Sequence, residues 1–335
     1  MKKIFLFTVA ILLSIFNFIN EFSAKFFISF AIPKINISES RDSKYMALLA
    51  KGNLSDDIFK KTVKIKEEII AEDFVEVIPD VENENFVEPS YYEVTLDWSA
   101  MLKNLTTYKI DVDKLLSEKL KFKLTGSDIE TVIYHTHTTE SYTQSKNYMY
   151  EPSGVYRTLD TNANMIKIGE EMKRNLQQNG FAVFHDKTIY DYPDYNSSYS
   201  KAGKGIAQIL KKHKNVKVVL DLHRDAISVN TEQYKPVVQI NGKKVAQFLL
   251  VIGTNQGGLK HSEWKENLKL ALKIKKLADE KYPGLCRNVI LRKERFNQHV
   301  TNGAMIVEMG ATGNTIEEVL ETTKYFSELL IEVCK

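Results

Sequence analysis

The stretch Thr131-Val-Ile-Tyr-His-Thr-His-Thr-Thr-Glu140 decides how this chain is read. A short β-type run, Thr131 to Tyr134, leads directly into two imidazoles and a carboxylate. A strand that ends this way carries polar side chains to the edge of a sheet, where connecting loops form pockets. The arrangement recurs downstream, where the β-type stretch Val216 to Leu220 leads into Asp221-Leu-His-Arg-Asp225. Two strands of this kind, separated by helical sequence, point to an α/β domain with its chemistry along one sheet edge.

The residue types suggest which chemistry. His137 and Glu140 are spaced His-x-x-Glu, and His223 offers a third ligand from the second strand. Two imidazoles, one carboxylate and an open position describe a catalytic zinc site, so Zn2+ is the expected cofactor. A single strand-end histidine is more often a surface or supporting residue. Here it is the pairing of two histidines with a glutamate and a second cluster, in a chain with seven histidines, that favours ligands. If the first strand continued through the motif, His135 and His137 would share one face, as would Asp221 and His223. His135 therefore competes with His137 for the first ligand position, and otherwise serves the reaction from beside the metal. Asp221 reads either as the group that orients a ligand imidazole or as a strand-end turn residue.

A hydrolase of this type also needs a base. Glu308 closes the apolar run Ile306-Val307-Glu308, where an acid is costly unless it is functional or paired. It is the expected proton shuttle, with a structural salt bridge as the alternative. Arg224 and Arg295 are candidates for binding substrate carboxylates or steadying an oxyanion. Asn297 and Gln298 are candidates for hydrogen bonds to substrate. His185, His213, His261 and His299 read as non-ligands. The tyrosine-rich loop from Tyr190 to Tyr199 suits packing on sugar rings, or simply covers a sheet edge.

Working outward, residues 128–335 alternate strand and helix signals, which predicts a mixed central sheet with flanking helices. Strands are expected at Thr131–His135, Phe181–Phe184, Val216–Asp221, Val289–Leu291 and Ala304–Glu308. Val237–Ile252 reads as two strands joined by an Asn241-Gly242 hairpin turn. Helices are expected at Asn162–Gln178, Lys201–His213, His261–Lys281 and Thr315–Val333. Residues 34–127 read as a stalk and accessory region, with short helices within Lys44–Ile70 and a helix or edge element within Trp98–Leu124. Between Glu72 and Asp97 lie nine acidic residues and no Lys or Arg. That is the signature of an extended, solvated linker.

Residues 1–33 read as a membrane anchor or signal segment. Met1-Lys2-Lys3 precedes the apolar run Ile4–Ile19, which resumes at Phe26–Ile32 after Glu21 and Lys25. A cleaved signal peptide is the rival, with Ser23-Ala24 the nearest cleavage candidate. An uncleaved, single-pass anchor is the favoured expectation, with Lys2 and Lys3 inside and the catalytic part extracytoplasmic. The formal charge is +3. It is unevenly placed, with a net −4 over residues 1–130 and +7 over residues 131–335. A basic catalytic part suits a polyanionic substrate. It would also suit nucleic acid, but no groove-reading helix, zinc knuckle or stacking motif supports such a partner. Cys286 and Cys334 do not resemble a disulfide framework or zinc knuckle, their pairing is left open, and neither is near the motifs.

Several runs taken in order carry a resemblance. Ile133–Tyr142, Val219–Asp225, Val251-Ile-Gly-Thr-Asn255, Arg295-Phe-Asn-Gln298 and Ile306-Val-Glu-Met-Gly310 resemble the successive signatures of the stage II sporulation protein P family, over roughly Asp128 to Lys335. The resemblance implies a zinc amidase/carboxypeptidase-like α/β domain that hydrolyses peptidoglycan during sporulation. It implies N-acetylmuramoyl-L-alanine amidase activity, endopeptidase action on cross-links, and work with stage II sporulation proteins D and M in septal thinning and engulfment. By analogy with metallocarboxypeptidases and zinc amidases, it also implies the His, Glu, His ligand order and a catalytic Glu308. The alternatives are a metallopeptidase specific for cross-links and a catalytically inactive peptidoglycan-binding scaffold.

Overall fold

The computed structural model of the protein describes residues 92–94, 100–229 and 232–335. The described residues all belong to one compact unit. The expected anchor, the helices within 44–70 and most of the acidic linker lie outside the described residues. Among the described residues, no helix is long and apolar enough to cross a membrane.

In chain order the elements are β1 (Tyr92–Val94), β2 (Leu102–Asn104), α1 (Val112–Ser117), β3 (Ile129–Tyr134), α2 (Met165–Gln178), β4 (Ala182–His185), α3 (Ser198–Lys212) and β5 (Val218–Asp225). Next come β6 (Ser228–Val229), β7 (Glu232–Ile240), β8 (Lys243–Ala246), β9 (Phe248–Gly253), α4 (Trp264–Lys281), β10 (Val289–Arg292), β11 (Gly303–Ala311) and α5 (Ile316–Cys334). Seven strands form the main sheet in the order β2-β10-β9-β11-β5-β3-β4. Neighbours in it run parallel except β9 and β11, which are antiparallel. The fold is therefore the mixed α/β sheet with flanking helices that the alternation predicts. A smaller sheet is built on β7, which pairs in parallel with β1 and antiparallel with β6 and β8.

The central strands β5, β9 and β11 are buried along their whole length, as expected for strands covered on both faces. One face packs Ile133, Leu220, Leu222, Met305 and Val307 in a core shared with α2, α4 and α5. The other face packs Val132, Tyr134, Val219 and Ala304 against Ala202, Ile206 and Ile209 of α3. Local signals set the helix limits. The Asn164 side chain caps α2 by accepting from the Ile166 N–H at 3.0 Å, and Asn179-Gly180 closes it with Gly180 at φ 85°.

The structure departs from the sequence expectation in three places. β5 continues through Asp225, whereas β3 stops at Tyr134, so the two motifs begin in different conformations. The stretch 237–252 holds parts of three strands rather than two. β7 and β8 form the expected hairpin, with Asn241 and Gly242 at φ 52° and 77°, and β9 leaves it for the main sheet. Finally, Leu102–Asn104, from the region expected as accessory, pairs with β10 at the edge of the main sheet.

Candidate active site

β3, β5 and β11 run parallel, so their C-terminal ends come together at one edge. Ligands of open α/β sheets bind outside such ends. Along β5 the alternation of side chains places Asp221, His223 and Asp225 on the α3 face, with Leu220 and Leu222 turned to the opposite core. Glu308 is in register with His223 on the neighbouring strand. The pairing of β11 shifts just beyond it, between Glu308 and Ala311, where Gly310 adopts φ 68°.

Where β3 ends, the chain turns, and the Glu140 N–H donates to the His137 carbonyl at 3.2 Å. The His-x-x-Glu pair is thus carried on one turn. Asp221 holds this turn from β5, accepting from the Thr136 N–H at 2.8 Å and the Thr136 hydroxyl at 2.6 Å. The same carboxylate lies 3.0 Å from His223 Nε2, at ion-pair distance though not aligned for a hydrogen bond. Across the site, His223 Nδ1 is 3.7 Å from Glu140 Oε2, which accepts the Arg224 N–H at 3.1 Å. The His137 and His223 rings meet edge to face, with centroids 5.2 Å apart.

The structure therefore brings together His137, Glu140, His223, Asp221 and Glu308. It does not bring His135 to them. Because β3 ends at Tyr134, His135 and His137 do not share a face. His135 is fully buried, with Nδ1 3.3 Å from the Leu222 carbonyl and Nε2 2.8 Å from His185 Nε2. Burial, and for His135 the neighbouring His185, lowers both imidazoles to about 3. The Arg224 guanidinium donates to the Tyr156 carbonyl at 3.3 Å. Asn297 donates to the Tyr199 carbonyl at 2.9 Å. Gln298 is buried with both amide atoms on β9, accepting from the Gly253 N–H and donating to the Val251 carbonyl. Arg295 reaches the Lys260 and Phe296 carbonyls, each at 3.3 Å. Cys286 and Cys334 are both free and buried, and burial pushes both thiols up, away from a nucleophilic role.

Several residues at the site are not among the expected ligands or catalytic groups, though Tyr195 and Tyr199 lie in the tyrosine-rich loop. Tyr195 lies face to face with His137, centroids 4.4 Å apart, with its hydroxyl 3.0 Å from His137 Nε2. Tyr199 meets His137 edge-on at 5.5 Å. The tyrosine loop thus covers the site itself. Ser198 Oγ is 3.4 Å from His137 Nδ1. Beside Glu308, Asp225 and Arg287 form a fully buried ion pair at 2.6 Å. Nothing in the local sequence around Arg287 marks it, since its partner Asp225 lies on β5, remote in the chain.

The electrostatics of the cluster test whether a metal suits it. Burial alone would lower His223, but Asp221, Glu140 and Glu308 outweigh it and raise the imidazole to about 10. Burial drives Glu308 up to about 8, with His223 opposing and Asp225 and Glu140 adding to the rise. Glu308 Oε2 has no hydrogen-bond partner among the described residues. The site thus gathers buried carboxylates around a position that stabilises positive charge, and it leaves an acid oxygen unpartnered. Two imidazoles and a carboxylate are the donor types zinc takes. Among the described residues, no three His, Cys, Asp or Glu side chains already stand as a metal-binding group. The two ring nitrogens of His137 face the hydroxyls of Tyr195 and Ser198. By donor type, the residues fit the ion.

The family model of stage II sporulation protein P matches residues 27–331. The chain belongs to this family. The stage II sporulation protein P of Bacillus subtilis (strain 168) is 26% identical over 220 residues, covering 62% of this chain and 52% of the relative. The chain thus matches about half the length of that family member. Among solved structures, an N-acetylmuramoyl-L-alanine amidase from Clostridium difficile 630 aligns with 14% identity and a TM-score of 0.36, covering 62% of this chain and 95% of its own. The amidase AmiC2 of Nostoc punctiforme aligns with 13% identity and a TM-score of 0.34, covering 61% and 94%.

Proposed function

We propose that this protein is a zinc-dependent peptidoglycan hydrolase of sporulation that cleaves the amide between N-acetylmuramic acid and the L-Ala of the stem peptide. The observation that carries the reading is the convergence of His137, Glu140 and His223 beside an unpartnered, buried Glu308 at the C-terminal sheet edge. Membership of the stage II sporulation protein P family supports the substrate class.

His137, Glu140 and His223 would hold the zinc, with Asp221 fixing His223 and the turn that carries the other two. Bound there, zinc supplies Lewis acidity at the scissile carbonyl and lowers the pKa of the attacking water. Glu308, raised by burial, accepts a proton from the nucleophile and returns it to the leaving amine. Arg224 lies at this edge through Glu140 and suits the developing negative charge or a stem-peptide carboxylate. Asn297 supports the Tyr199 segment of the pocket wall, and Arg295 and Gln298 belong to the same loop. Endopeptidase action on cross-links remains part of the proposal, as do a single-pass anchor, an extracytoplasmic catalytic part and the partners stage II sporulation proteins D and M.

The test is metal dependence on purified sacculi. Chelation abolishes hydrolysis and added zinc restores it, and His223→Ala loses the metal, because two remaining ligands hold zinc poorly. Mass analysis of the products shows whole stem peptides freed from muramic acid. Full activity in a metal-free preparation overturns the mechanism, and release of cross-link fragments alone makes the enzyme a metallopeptidase.

A further inference from the structure

Arg157 takes no part in the proposed chemistry, yet one guanidinium joins three segments of the site wall. Its Nη1 donates to Asp191 Oδ2 at 2.8 Å and to the Thr139 hydroxyl at 3.3 Å. Nη2 lies 3.6 Å from Glu140 Oε1, and the guanidinium carbon sits 4.7 Å from the centre of the Tyr195 ring. Tyr195 in turn stacks on His137. Asp191 closes the circuit by accepting from the Thr139 N–H and hydroxyl. The backbone reinforces it, with the Ser141 N–H on the Tyr156 carbonyl and the Thr158 N–H on the Thr139 carbonyl, each at 2.8 Å.

Exposed ion pairs contribute little, because water screens them and the side chains lose freedom. This one differs, since the Asp191 side chain is completely buried and that of Arg157 is only 19% exposed. A buried carboxylate that loses its cation costs far more than a surface one. The geometry also calls for arginine. A planar fork can lie over an aromatic ring while donating in its own plane to two acceptors, and an ammonium cannot.

We propose that Arg157 is a positioning residue for the active site, fixing Glu140 directly and His137 through Tyr195. The proposal rests on the reading of His137 and Glu140 as metal ligands. Arg157 itself touches neither metal nor substrate. It makes the turn 137–140 and the loop 190–199 one rigid wall.

The experiment uses the full chain and two variants, Arg157→Gln and Arg157→Lys, with two readouts. Zinc affinity is measured by competition with a chromophoric chelator, and amide hydrogen exchange is followed at Thr139. In Arg157→Gln, zinc binding weakens by about 10–100-fold, the range for residues that orient ligands. Exchange at Thr139 accelerates, because Asp191 no longer holds that amide firmly. Arg157→Lys falls between wild type and Arg157→Gln, keeping the charge but not the fork, and it stands as the folded test if the Gln variant is unstable. Wild-type exchange in the variants overturns the clasp. Faster exchange with unchanged zinc affinity also overturns it, by leaving Arg157 a loop tether without effect on the ligands. Absence of zinc binding in the wild type would instead sink the metal reading and the positioning role built on it.

Discussion

Glu308 shows most plainly how burial sets chemistry. A carboxyl in register with His223, with no hydrogen-bond partner for Oε2 among the described residues, is held up to about 8 by its buried position. The Asp225–Arg287 pair beside it adds charge of both signs without bonding that oxygen. Glu308→Gln keeps the shape and a polar group but cannot accept the proton. We expect it to bind zinc and peptidoglycan as wild type does, while turnover falls by about 10²–10⁴, the usual contribution of a general base. Zinc content and single-turnover rates check this together. Loss of zinc would make Glu308 a ligand, and near-normal turnover with zinc in place would leave it a structural acid. The sequence makes Glu308 visible because an acid ending an apolar strand is costly. Arg287 and Arg157 are not visible in the same way, because each draws its importance from partners remote in the chain.

At the scale of elements, the end of one strand decides which histidine faces the site. The apolar pattern locates β3 but does not say where it stops. Had it run on two residues, His135 and His137 would lie on the same face. It stops at Tyr134, so His135 stays in the interior between β5 and α2, where Gly169 leaves room for the His135–His185 pair. His137 swings onto the turn that also carries Glu140. The helices and most strands were legible because their periodicity and caps are local. The assignment of β9 to the main sheet was not, because hairpin signals do not say which sheet a following strand joins. We expect His137→Ala to lose most of its zinc. His135→Ala should retain zinc but lose about 1–3 kcal/mol of stability, because His185 Nε2 is left buried without its partner. Metal analysis and chemical denaturation of both variants decide the matter, and the reverse metal contents would transfer the ligand role to His135.

Across the main sheet, the candidate site and the Glu130 fastening sit at opposite ends of the strands. The C-terminal ends of β3, β5 and β11 carry the site, whereas the entry to β3 and β5 is fastened by Glu130. Its buried carboxylate accepts from the Thr125 and Gly126 N–H groups at 2.6 and 2.9 Å and pairs with Lys217, just before β5. Burial favours the neutral acid, but the Lys217 ammonium and the N–H groups outweigh it and hold the carboxyl below its ordinary value. That direction sets the sign of the pH effect. A carboxylate depressed in the folded state stabilises fully above its unfolded pKa of about 4.3, and that contribution is lost as pH falls through the folded value. Glu130→Gln should therefore be about 1.5–3 kcal/mol less stable than wild type at pH 7, the range for hydrogen bonds to charged groups. The gap should narrow steadily below about pH 4, where wild type loses the charge that the variant never had. Urea denaturation of both proteins across that range measures it. A gap that stays constant into acid would mean that Glu130 acts by shape and not by charge. Zinc affinity at neutral pH should be the same in both, since the fastening lies at the far ends of the strands that carry the site.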